Sequence, residues 1–137
     1  MNHKSRPAIP RFETPIVETH CHLDYLDQQD LEAVLSRAFE VGVERIITIA
    51  VSEDNLDTVR QIADRYSGIW CTQGIHPHEA NSWSKRLGLK VREGCEGAKV
   101  VALGEIGLDY HYNVSNRKNQ FQAFEEQLEI AAQYQHY

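Results

Sequence analysis

Four short apolar runs divide the chain: Ile16–His20, Arg45–Val51, Ile69–Gln73 and Lys99–Gly104. Each is rich in β-branched residues and reads as a strand. Between them the apolar positions recur at helical spacing. In Asp30–Glu40 they fall at Leu31, Val34, Leu35, Ala38 and Phe39, one face of an amphipathic helix that Gly42 stops. Ser52 is placed to cap a second helix over 54–66, and Gly68 closes it. The stretch from Gly74 to Gly97 is the least regular, with a weak helical pattern from Trp83 to Cys95. A last helix is predicted over 117–137, its apolar stripe carrying Phe121, Phe124, Leu128, Ala131 and Ala132.

Strands that read as continuous apolar runs and alternate with helices imply a parallel sheet in an α/β fold. Four βα units are present, and a closed (β/α)₈ barrel needs roughly 250 residues. The expected architecture is therefore of the TIM-barrel type, with about the first four units in this chain. Residues 1–13 read as a flexible tail and 14–137 as the N-terminal half of a barrel. Such a half leaves two open sheet edges and uncovered apolar surface, which invites self-association.

Composition is that of an ordinary globular protein, 42% hydrophobic and 25% charged. A formal net charge of -6 argues against a nonspecific basic nucleic-acid binder but not against an enzyme acting on phosphodiesters, since bound cations reverse the local field. No apolar run approaches the ~20 residues of a membrane span, and the polar, basic start lacks a secretory h-region. Cys21, Cys71 and Cys95 are odd in number and widely spaced, which fits a reduced cytoplasmic setting and a role as small hydrophobes.

The unusual polar residues all follow strands. In a parallel α/β sheet the carboxyl ends of strands are where functional groups gather. His20 and His22 follow the first strand; alternate strand residues share a face, so two imidazoles point the same way, with Cys21 opposite. That pair can hold a divalent metal. Asp24 shares their parity and can equally cap the next turn. Glu105 follows Val100-Val-Ala-Leu-Gly104, and a carboxylate there is costly unless paired or metal-bound. It is read as a ligand able to bridge two metals, with Asp109 as an orienting group or proton acceptor for metal-bound water. His76-Pro-His78 alternates too, but Pro77 makes it a loop. Its histidines are candidates for contact with a substrate phosphate or for orienting the ligands. Tyr110 and Trp83 are candidate stacking faces for a base.

Three motifs now stand in order: Glu18-Thr-His-Cys-His-Leu-Asp24, Gly74-Ile-His-Pro-His-Glu-Ala80 and Ala102-Leu-Gly-Glu-Ile-Gly-Leu-Asp-Tyr110. Together they resemble the TatD-type metal-dependent hydrolases of the amidohydrolase-like barrel group. The resemblance runs from Ile16 onward. It implies a (β/α)₈ barrel, a divalent metal centre and deoxyribonuclease activity, often exonucleolytic. It also implies that His20, His22 and Glu105 are metal ligands, Glu105 being shared between two metals. Glu18 departs mildly, an aspartate being common there. The family's further histidines and aspartate come from later strands, and His136, in the last predicted helix, is not their substitute.

The chemistry so implied is metal-assisted hydrolysis of DNA phosphodiesters by two divalent cations, Mg²⁺, Mn²⁺ or Zn²⁺. One alternative is a hydrolase of the same barrel group acting on an amide, ester or lactone. Another is an inactive half-barrel that binds metal or self-associates. With part of the ligand set present, the chain alone is expected to be weakly active or inactive.

Overall fold

In the computed structural model, residues 6–134 are described. Four strands, β1 (Ile16–Cys21), β2 (Val43–Thr48), β3 (Ile69–Gln73) and β4 (Val100–Leu103), form one parallel sheet in the order 1-2-3-4. Helices α1 (Leu31–Glu40), α2 (Leu56–Arg65) and α3 (Lys85–Gly94) connect them, and α4 (Arg117–Ala131) follows β4. This is the expected βα alternation: β3 matches its apolar run, β1 runs one residue further, β4 is shorter, and β2 begins and ends earlier than its run. Ile49–Val51 leave β2 because their backbones serve the neighbouring loops: the Ile49 N–H donates to Cys21 O at 2.9 Å, and the Val51 carbonyl accepts from His76.

The core lies between the sheet and the helices. Leu31, Leu35, Ile46, Leu56, Val59, Ile69, Leu87, Val91, Val100 and Ile130 are buried in it. The opposite sheet face carries Val17, Arg45, Ile47, Trp70 and Val101 around an open hollow. Trp70 lies there between two cations, Lys99 Nζ at 4.3 Å from the ring and the Arg45 guanidinium at 5.9 Å. Burial pushes the Cys21 thiol up to about 11 and the Cys71 thiol up to about 12, as befits packing residues.

Three local expectations need correction. Pro77 does not leave a plain loop: it opens a short 3₁₀ helix over Pro77–Ser82, where a missing N–H costs nothing. The second helix begins with a 3₁₀ turn, Glu53–Asn55, and Asn55 Oδ1 accepts the N–H groups of Val51 and Ser52. The third starts at Lys85, where the Ser84 side chain accepts the Leu87 N–H.

The largest correction concerns the last helix. It ends at Ala131 rather than running to the end of the chain, and Gln135, His136 and Tyr137 lie outside the described residues. Its buried face is Gln120, Ala123, Gln127 and Ile130. Phe121 and Leu128 of the expected apolar stripe stand 54% and 48% exposed. Two glutamines were chosen for burial over two large hydrophobes because the loops beneath α4 present bare backbone groups, which only polar side chains satisfy.

Candidate metal centre

The site is built by loops that continue the sheet's hydrogen bonding past the strand ends. The Glu105 N–H donates to Ala50 O at 3.0 Å, and the His76 N–H donates to Val51 O at 2.8 Å. Adjacent carbonyls of one loop thus fix the backbones of two site residues. Gly74 and Gly104 let these loops meet: a Cβ on Gly74 would lie 2.8 Å from the Gly104 carbonyl carbon. Thr72 ties the layers together, its Oγ1 accepting from the Ala50 N–H and donating to Gly104 O.

Within this frame His20, His22 and Glu105 converge, each offering a ligand atom within 4.8 Å of the others. The rings of His20 and His22 meet edge to face at 5.3 Å, and Tyr25 stacks flat on His22 at 4.7 Å. Glu105 is shared between two histidines: Oε2 lies 3.4 Å from His20 Nε2, and Oε1 lies 3.5 Å from His76 Nε2. The buried His22 Nδ1 has no hydrogen-bond partner. Two imidazoles and a carboxylate with an unused buried nitrogen fit a divalent cation. Glu18 turns aside, accepting the His20 N–H at 2.8 Å. Asp24 accepts from Asn55 Nδ2 at 3.1 Å, which ties the turn after β1 to the start of α2.

His76 and His78 divide their duties. His76 Nδ1 accepts the backbone N–H of His78 at 3.0 Å, so Nε2 faces Glu105. Burial lowers the His76 pKa, against the opposing pull of Glu105. His78 Nε2 instead donates to Asp109 Oδ2 at 2.6 Å. Partial burial works against the Asp109 charge, but the Tyr112 N–H, His78 and the His111 N–H hold its carboxyl below the ordinary range. Tyr110 borders neither hollow of the site; the Arg117 guanidinium sits 4.4 Å over its ring. Trp83 is further removed, its indole N–H donating to Glu126 Oε2 at 2.7 Å.

The sequence reading missed several contributors. Tyr25, Val51 and Glu79 line the hollow with His22, His76, His78 and Glu105, and Tyr112 borders the adjoining one. It also missed the two glutamines of α4. Gln120 brackets Asp109, taking its N–H at 2.7 Å and donating to its carbonyl at 2.9 Å. Gln127 brackets Ile75 in the same way. Their seven-residue spacing, two helical turns, was the available signal.

Comparison with known proteins finds relatives in both sequence and fold. The chain is 37% identical over 103 residues to the 3'-5' ssDNA/RNA exonuclease TatD of Cronobacter turicensis, matching 75% of this chain and 39% of that protein. It is 39% identical over 106 residues to the protein of that name from Yersinia pseudotuberculosis, matching 77% and 41%. A TatD homologue of known structure from Escherichia coli superposes with a TM-score of 0.79 at 35% identity, over 86% of this chain and 47% of that one. A TatD family hydrolase from Entamoeba histolytica, at 23% identity and TM-score 0.79, shares the fold. The chain thus spans about two fifths of the curated relatives it matches, and its four βα units correspond to about half of each solved chain. The family described as TatD related DNase matches residues 17–137, and the chain belongs to that family.

Proposed function

We propose that this chain supplies part of the active site of a divalent-metal-dependent nuclease that hydrolyses phosphodiester bonds of DNA. The observation that carries this reading is the convergence of His20, His22 and Glu105 at the carboxyl edge of the sheet. In this reading those three side chains are ligands, and Glu105, with a histidine at each oxygen, is the residue suited to serve two ions. Mg²⁺, Mn²⁺ and Zn²⁺ all suit the donor set. A bound divalent cation supplies a more acidic water and offsets charge on the phosphate oxygens.

The remaining residues act around that centre. His76 holds the Glu105 carboxylate in place through Nε2. His78 presents its ring to the substrate phosphate, and Asp109 fixes the ring's orientation by accepting from Nε2. Asp109 doubles as the proton acceptor for the attacking water. Tyr110 contacts substrate beyond the two hollows. We place the protein in the cytoplasm, and we infer that it self-associates through its open sheet face.

Calorimetric titration with Mn²⁺ and Zn²⁺ tests this reading. Binding by the 137-residue chain that is lost in Glu105→Ala, together with metal-dependent binding or trimming of a single-stranded oligonucleotide, supports it. A chain that binds neither metal overturns it.

A further inference from the structure

Tyr25 has no role in the core, yet it is held firmly. The turn Leu23–Tyr25 is anchored by buried Leu23, whose N–H donates to Thr48 Oγ1 at 3.1 Å. The Tyr25 N–H donates to His22 O at 3.1 Å. One face of its ring lies on His22, centroids 4.7 Å apart and planes 12° from parallel. The residue is nonetheless 66% exposed, so the other face is open to solvent. It borders the same hollow as His22, His76, His78, Glu79 and Glu105.

That hollow is lined by imidazoles and carboxylates, with apolar surface from Tyr25 and Val51. With a divalent cation held by the histidines and Glu105, a ligand matching it would have an anionic group for that side and a flat aromatic group for Tyr25. The neighbouring aromatics are disposed otherwise. Tyr110 lies under Arg117, Trp83 turns to Glu126, and Tyr112 meets His78 edge-on at 6.0 Å.

We propose that the open face of Tyr25 is the stacking platform for the base next to the scissile phosphate, extending the His22–Tyr25 stack by one layer. This rests on the nuclease reading and assigns Tyr25 a role that requires an unpaired base. A base inside a duplex has both faces occupied and cannot join the stack, whereas stacking on an aromatic side chain tolerates any base.

The test uses a single-stranded oligonucleotide carrying 2-aminopurine at its terminal nucleotide, with Zn²⁺ present. Stacking on Tyr25 is expected to quench its fluorescence on binding, in the unsubstituted chain and in Tyr25→Phe. Tyr25→Leu is expected to lose the quench and to bind the oligonucleotide about 5- to 150-fold more weakly. Its Zn²⁺ affinity is expected to stay unchanged. A full quench in Tyr25→Leu overturns the proposal. So does a parallel fall in Zn²⁺ affinity, because Tyr25 would then act through His22. If the unsubstituted chain binds Zn²⁺ but no oligonucleotide, the nuclease reading fails and the platform with it.

Discussion

Gln127 and Ile75 are joined twice: Gln127 Oε1 accepts the Ile75 N–H at 2.8 Å, and Nε2 donates to the Ile75 carbonyl at 3.2 Å. The same Nε2 donates to Ala123 O at 3.0 Å, so the amide is fully used. Ile75 immediately precedes His76, and this pairing anchors the histidine loop to α4. Gln127→Leu keeps the bulk and strands two buried backbone groups, each costing about 1–3 kcal/mol. The urea midpoint should fall accordingly; an unchanged midpoint contradicts the anchoring role.

Glu105 is the residue on which two histidines converge. Glu105→Gln keeps the shape and removes the charge. Loss of an outer-shell partner alone costs roughly 10–100-fold in metal affinity, and loss of a ligand should cost at least that. Calorimetry with Zn²⁺ measures it. Near-normal affinity in Glu105→Gln would remove Glu105 from the ligand set.

Gly74→Ala tests the close approach of the two loops. The added Cβ would meet the carbonyl carbon and oxygen of Gly104 at 2.8 and 2.9 Å, both backbone atoms that cannot swing aside. Overpacking of this kind costs about 1–3 kcal/mol. The loops should part, weakening metal binding along with stability. A variant with native melting temperature and native metal affinity would show that the loops have slack.

Asp109 sets a pH dependence of definite sign. Its folded-state carboxyl is held below the ordinary carboxylate value, so the hydrogen bonds it accepts stabilise the fold above the unfolded pKa, near 4. That contribution is lost as pH falls through the lower folded value. Carbon-13 titration of the Asp109 carboxyl should therefore show a midpoint below about 4, and Asp109→Asn should flatten stability over that acid range. A midpoint above 4 contradicts the assignment.

The open sheet face predicts concentration-dependent association. Val17, Ile47, Trp70 and Val101 form an apolar surface bordered by Arg45. Sedimentation velocity across the micromolar range should show oligomers, with Trp70 emission shifting to the blue. Ile47→Lys should return the chain toward monomer. A monodisperse, stably folded monomer contradicts the prediction.

The strands, three of the helices and the convergence of His20, His22 and Glu105 were legible because each rests on a local rule. Alternation put His20 and His22 on one face, and a carboxylate after a buried strand marked Glu105. The α4 register was illegible because hydrophobicity ranks Phe121 and Leu128 above Gln120 and Gln127, whereas burial there was decided by backbone groups of loops more than ten residues away in sequence. Tyr25 escaped notice because its partner is a ring rather than the core, a relationship no periodicity records.

Four of the side-chain contacts that fasten the site share a direction. The turn after β1 is secured at Leu23 by Thr48, the loop after β2 at Ala50 by Thr72, and the loop after β3 at Ile75 by Gln127. Asp109 after β4 is secured by Gln120. In every case the fastener lies further along the chain than the segment it fastens. During synthesis, then, each of these segments is made before the residue that holds it, and Ile75 waits longest, 52 residues ahead of Gln127. This edge of the sheet is therefore fastened behind elongation, with α4 the last of the described elements to contribute.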